Sequence, residues 1–321
     1  MKIFSTFIAL SLVSSALAET PYTGRWWFNL PTGAVGWLGV EEKDGALQSS
    51  LLMGGGSVLP TKETKLQGEQ LIIIKETKGK NKKTQQEEVF TDTITCTAKG
   101  NQLDLSIVKT NGAGKQVHKA SATAQKIADL PSKPNLAMLK FGSPISLFNG
   151  KDLTGWRLVK ADDLNGWSVQ DGSLINRIEK DKHFGNLRTE AEFEDFNLKL
   201  ELRTQEKSNS GVYLRGIYEI QVMESYGLPL NFLNMGALYS RITPAVNAEK
   251  PIGEWQTLDI TLVDRHLTVI LNGKTIIDNQ PVLGCTGGAL TGDETKPGPL
   301  MLQGDHTSID YRNIVLTPIV K

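Results

Sequence analysis

Between Phe193 and Arg203 apolar and charged residues alternate, with Leu198, Leu200 and Leu202 on one side and Lys199, Glu201 and Arg203 on the other. A period of two is that of a β-strand with one buried face. The same alternation runs through Tyr218–Met223, where Tyr218, Ile220 and Val222 share one face and Glu219 and Gln221 the other. Before it, 209–215 is a second strand, and Gly216 breaks the two apart. Runs rich in Val, Ile and Thr predict strands at 24–30, 35–40, 46–53, 71–74, 88–98 and 102–108. Further on they predict strands at 167–175, 236–241, 255–263, 267–271, 275–278, 300–303 and 308–316. Asp44-Gly45, Asp171-Gly172 and Asn272-Gly273 supply tight turns between them. Helical periodicity is nearly absent. The chain is therefore expected to be all-β.

The strands fall into two groups. Those of 19–130 follow one another through local turns, as in a small antiparallel barrel or curled sheet. Pro131 and Pro134, with Ser, Lys and Asn around them, mark 131–143 as a linker. Residues 144–321 open with aromatic anchors and turn-rich sequence, and their many strands pack most economically as a two-sheet jelly roll. Trp26, Trp27 and Trp37 either fill the core of the first domain or offer sugar-stacking surfaces.

The first eighteen residues carry one Lys, a short apolar run and Ala16-Leu17-Ala18. This is the pattern of a secretory signal peptide cleaved after Ala18, which implies a periplasmic or secreted protein. The run is too short to span a bilayer, and no later segment is long and apolar enough to do so. Acidic and basic residues balance at 35 each, which gives no electrostatic footprint for nucleic acid. The two cysteines, Cys96 and Cys285, lie in different halves and are expected to stay unpaired. Oligomeric state is not legible.

Chemistry concentrates in the second group. Asn209, Tyr213, Arg215, Glu219 and Gln221 bring a carboxylate, two amides, a guanidinium and a phenol onto one local surface, the kind that lines a sugar pocket. An edge hairpin with one solvated face would read the same way.

Six motifs then follow in order: Leu147-Phe-Asn-Gly-Lys-Asp-Leu-Thr-Gly-Trp156, Asn209-Ser-Gly-Val-Tyr-Leu-Arg-Gly216, Tyr218-Glu-Ile-Gln-Val222, Gly253-Glu-Trp255, Leu271-Asn-Gly273 and Leu302-Gln303 with Tyr311-Arg-Asn-Ile314. Together they resemble the 3-keto-disaccharide hydrolase domain family over about 143–320. The resemblance implies a concanavalin-like jelly-roll β-sandwich with a groove on its concave sheet, and a carbohydrate substrate. It does not reach the first domain.

A carbonyl at carbon 3 of a sugar acidifies the hydrogen on carbon 2. Its removal lets the enolate expel the oxygen on carbon 1, and water adding back completes a net hydrolysis. Such a reaction needs a base, an electrophile for the enolate oxygen and an acid for the leaving oxygen. His306, beside Asp305, is the first candidate for base or metal ligand, although the pair could equally cap a turn. Glu219 is the second candidate, as a base or ligand, or else as a structural ion-pair partner of Arg215 or Arg203. Asn209, Gln221, Tyr239 and Gln303 would bind sugar hydroxyls, and Arg215 or Arg241 would polarise the ketone. A divalent ion held by His306, Glu219 and Glu294 is a further way to supply the electrophile. His183 sits in a loop, and His118 and His266 read as surface residues. The glycine-rich 284–298 segment is either a loop over the site or a passive connection. The competing function is a non-catalytic carbohydrate-binding jelly roll using the same face.

Overall fold

The computed structural model describes residues 20–81, 85–179 and 181–320; the expected signal peptide and part of the basic Lys78–Lys83 run lie outside them. Nearly everything described is strand or turn, as the alternation predicts. A nine-stranded antiparallel sheet occupies 24–126. Gly24–Asn29 pairs on one side with Val35–Lys43 and on the other with Gln116–Lys126. The two end strands, Leu59–Pro60 and Glu63–Gln67, are consecutive in the chain. Ser49 Oγ lies 2.8 Å from Thr61 Oγ1 and 2.6 Å from Thr64 Oγ1, which draws the two ends of the sheet together. The curled interior is filled by Trp26, Phe28, Leu38, Leu51, Leu71, Ile73, Ile94 and Leu105.

The second half is a sandwich. Its larger sheet runs through Trp167–Gln170, Ser173–Asn176, Ile309–Val320, Phe196–Arg203, Trp255–Val263, His266–Leu271 and Lys274–Pro281, with two short strands off that path. The smaller sheet has the order Trp156–Leu158, Leu187–Thr189, Met301–Leu302, Asn209–Leu214, Tyr218–Met223. Leu198, Leu200, Leu202, Leu258, Ile260 and Leu262 from the first share one core with Val212, Leu214, Tyr218, Ile220 and Val222 from the second. The jelly-roll β-sandwich expected from strand count is what these sheets build.

The two halves are not separated by solvent. Val35, Trp37, Leu52 and Ile127, all from the first half, belong to the sandwich core. The first part of the strand Val35–Lys43, through Val40, is thus buried on both sides, with Leu38 and Val40 facing the curled interior and Val35 and Trp37 facing the sandwich. Arg241 lies over the Trp37 ring, 4.3 Å from its centroid. The segment expected as a linker, and the residues just before it, are also tied down. Arg25 and Arg265 donate to the Ala128 carbonyl at 3.0 and 2.9 Å, and Arg265 reaches the Asp129 carbonyl. Within 131–143, Leu136–Met138 is a 3-10 turn, and Lys140–Phe141 pairs with Ile309–Val320.

Two local expectations are corrected. Residues 236–241 are not a strand: Ser240 has φ of 57°, and only an isolated bridge joins Leu238 to Ile220. The backbone instead turns back on itself, with the Arg241 amide donating to the Leu238 carbonyl at 2.9 Å. His266 is buried rather than superficial, its ring paired with the Asp264 carbonyl at 2.9 Å. Of the two readings of Trp26 and Trp37, the core one holds: both are buried. Cys96 and Cys285 are free and buried.

Because Trp37 belongs to the sandwich core from outside the sandwich, Trp37→Ala is expected to cost about 3–5 kcal/mol and to lower the melting of the sandwich as well as of the curled sheet. Scanning calorimetry checks this; a sandwich transition left unmoved would refute the shared core.

Candidate functional site

The site grows from Tyr218–Met223. Tyr218, Ile220 and Val222 enter the core, so Glu219 and Gln221 must point to the opposite face. That face is also covered, and the two side chains are only 4% and 2% exposed. Asn209–Leu214 pairs alongside, with Tyr213 opposite Glu219 and Gly211 opposite Gln221. A Cβ on Gly211 would lie 2.4 Å from Glu219 Oε1, so a residue without a side chain is what lets the carboxyl lie across the sheet. On the outer edge the irregular 236–239 segment is hydrogen-bonded along Glu219 and Gln221, with the Tyr239 amide donating to the Glu219 carbonyl at 3.0 Å. Tyr239 is placed by this irregular turn and not by strand alternation.

Asn209, Glu219, Gln221, Tyr239, Gln303 and His306 line one cavity of about 250 Å³, together with Tyr213, Asp305, Asn186 and four glycines. All six were expected at the site from sequence. Asn209 Oδ1 accepts from Gln221 Nε2 at 3.3 Å, and Asn209 is fixed in turn through the Thr307 hydroxyl at 2.7 Å. The amide oxygens of Gln221 and Gln303 are buried without a hydrogen-bond partner among the described residues. Unpaired buried acceptors are costly unless something else supplies the donor, and sugar hydroxyls would do so.

His306 Nδ1 lies 2.6 Å from Asp305 Oδ1. This hydrogen bond raises the imidazole above its ordinary pKa, against the opposing effect of burial. Burial pushes Asp305 up, but the bond and charge of His306 outweigh it and hold the carboxyl low. Glu219 goes the other way. Desolvation lifts it to about 8, overcoming the bond from Tyr213 and the attraction of His306. Hydrogen-bond counting agrees with a neutral carboxyl. Tyr213 Oη lies 2.9 Å from Glu219 Oε2 and 2.8 Å from the Gly287 carbonyl oxygen, yet a phenol has one proton to give. If Glu219 is protonated, its hydroxyl donates to Tyr213 and Tyr213 donates to Gly287, and both contacts become hydrogen bonds.

Three other expected residues lie elsewhere. Arg215, in a turn at φ of 56°, donates to the carbonyls of Glu294, at 2.9 Å, and Lys296. Arg241 donates to the Cys285 carbonyl at 2.9 Å while stacked on Trp37. Both arginines brace the 284–298 segment through carbonyl oxygens, and neither lines the cavity. Glu294 is in a buried pair with Arg265 at 3.0 Å, outside the cavity. The ligand set His306, Glu219 and Glu294 therefore does not converge. Among the described residues no group of three or more His, Cys, Asp or Glu side chains is arranged to hold a metal ion. His183 is exposed, 3.9 Å from Asp163.

Sequence reasoning missed Asn186 and, in the first half, Gly55 and Gly56, all of which line the cavity. No local pattern marks them; they arrive by long-range packing. A larger cleft of about 700 Å³ runs between the halves, but it has no histidine, and its carboxylates Glu41 and Glu63 are exposed. The smaller cavity holds the chemistry.

Residues 143–317 match the family model of the 3-keto-alpha-glucoside-1,2-lyase-like domain. The chain belongs to this family. Membership makes it a glycoside-acting domain preceded by a curled sheet that the family match does not include. Among solved structures it is similar to two candidate glycosyl hydrolases from Parabacteroides distasonis ATCC 8503. The first is 28% identical with a TM-score of 0.45, over 58% of this chain and 93% of that one. The second is 20% identical with a TM-score of 0.46, over 55% and 94%. It is also similar to the carbohydrate-binding module CBM66 from Bacillus subtilis, at 13% identity and a TM-score of 0.36 over 50% and 93%. No curated protein matches. No helix among the described residues is long and apolar enough to cross a membrane.

The raised Glu219 carries a pH signature. Unfolded, the group loses its proton near 4.5; folded, it keeps it to about 8. Between those values the native state holds one more proton, so this contribution to stability is lost as pH rises from about 4.5 through about 8. Melting temperature against pH for wild type and Glu219→Gln is expected to differ by a downward slope present only in wild type. Parallel curves would show that Glu219 is ionised when folded.

Proposed function

We propose that the protein is an exported enzyme that cleaves 3-keto-glycosides by elimination across carbons 1 and 2 and subsequent hydration. Family membership supports the substrate class. The observation that carries the mechanism is the meeting, in one cavity, of a carboxylate-oriented imidazole and a neutral carboxyl. The amino-terminal signal pattern supports export.

With Nδ1–H donated to Asp305, neutral His306 has Nε2 free to take the proton from carbon 2. The electrons left behind pass into the carbon 3 carbonyl, and the resulting enolate is stabilised by hydrogen bonds from the pocket's amides and the Tyr239 hydroxyl. As the enolate re-forms the carbonyl, the bond from carbon 1 to the glycosidic oxygen breaks, and Glu219 protonates the departing oxygen. Tyr213 can then turn its proton from Gly287 to the new carboxylate. Water adding to carbon 1, with a proton returned to carbon 2, gives the hydrolysis product. Release of the unsaturated ketone before that step would give a lyase product. Among the described residues no three-ligand metal site is arranged, and the steps above use the chain's own side chains.

The test is turnover of 3-keto-glucosides by the purified protein, followed by mass spectrometry, with substrate deuterated at carbon 2. Aglycone release with a primary isotope effect is expected. His306→Ala and Glu219→Gln should each lower kcat by roughly 10²–10⁴-fold. Activity should rise with pH as His306 deprotonates, above its ordinary 6.5, and fall as Glu219 ionises near 8. Sugar binding without any turnover across several linkages would instead make this a carbohydrate-binding domain.

A further inference from the structure

The cavity has a wall that the family match does not cover. Gly55 and Gly56, in the connection after the strand Ala46–Met53 of the curled sheet, line it opposite residues of the sandwich. The connection is fastened in place. The Gly288 amide donates to the Gly54 carbonyl at 3.3 Å, the Val58 amide donates to Ser240 Oγ at 2.8 Å, and Ser57 Oγ donates to Tyr239 Oη at 3.4 Å. Gly287 packs so closely that a Cβ on it would meet the Gly56 carbonyl oxygen at 2.2 Å. The wall is therefore built jointly by both halves.

The three glycines differ in what requires them. Gly54 and Gly56 have φ of 91° and 79°, which other residues adopt only with strain. Gly55 has no such φ, and a Cβ on it would meet nothing within 4 Å. Neither backbone nor packing explains why this position has no side chain. Gly55 is exposed and lines the cavity, so a side chain there can narrow it. Behind that space the Gln221 amide oxygen, on a side chain 2% exposed, lacks a partner.

We propose that the Gly54–Gly56 connection of the first domain is a specificity-determining wall. It walls the open face of the sandwich into a pocket for one terminal sugar ring, with Gly55 setting its width. At about 250 Å³ the cavity is below the usual range for drug-sized ligands, so it takes a chain end and excludes the interior of a glycan. This rests on the glycoside-cleaving reading for its substrate but not for its geometry.

The experiment narrows the pocket after folding is complete. Gly55→Cys is purified, and the new thiol is capped with methyl or benzyl methanethiosulfonate; Cys96 and Cys285 are fully buried and spared. On a 3-keto-glucoside the benzyl adduct is expected to lower kcat/KM by at least about tenfold, mostly through KM, the methyl adduct by less, and a reducing thiol should restore both. A benzyl adduct with unchanged KM overturns the proposal. If wild type turns over no keto-glycoside, the functional reading is what failed, and the wall is tested by calorimetric titration with methyl glucoside. Binding that the benzyl cap abolishes then sustains it. Binding indifferent to the cap, or no binding by uncapped protein, overturns it. Efficient wild-type cleavage within the interior of an oxidised glucan would also overturn it.

Discussion

A strand buried on both faces, with one face polar, is the constraint from which the rest of the molecule follows. Tyr218–Met223 gives Tyr218, Ile220 and Val222 to the sandwich core, and alternation then commits Glu219 and Gln221 to the other side. Out of water, such groups are destabilising unless each finds a partner. Asn209 answers part of Gln221 and Tyr213 answers Glu219, which burial keeps neutral. What remains unanswered faces the cavity. The same desolvation that threatens the fold raises the Glu219 carboxyl to about 8.

Covering that face takes parts from three places in the chain. The turn at 236–239 closes the strand's edge, the 284–298 segment lies over Tyr213, and the connection at 54–57 meets both. The buried arginines serve this covering. Arg215 and Arg241 donate to carbonyls of the 284–298 segment, and Arg265 joins Glu294 to the Ala128–Asp129 backbone. A guanidinium with several fixed donors suits the bracing of irregular backbone whose carbonyls lack sheet partners.

Period-two patterning made the strands legible because it reflects a local rule, the alternation of faces. It also assigned Glu219, Gln221 and Asn209 to one surface, since neighbours in a hairpin need no long-range information. His306 and Gln303 were reached through the family motif. Where local rules end, the reading stopped. Arg215 has the spacing of a pocket residue, yet its left-handed turn conformation aims it elsewhere. Residues 236–241 have strand composition but bend, because the edge they cover also has to be closed off. Asn186, Gly55 and Gly56 join the site from distant positions with no pattern of their own. The division at 131–143 was read from composition, which does not register that Val35 and Trp37 pack outward into the sandwich core.

That outward packing has a consequence for the order in which the molecule is made. A ribosome delivers the curled sheet first, at roughly 5–20 residues per second. Val35, Trp37 and Leu52 then wait, bare and apolar, for a sandwich whose closing strand, Ile309–Val320, is the last of the described strands to be synthesised. The nascent chain is thus sticky on one side for most of its synthesis, and whatever shields that side governs how much finished protein results.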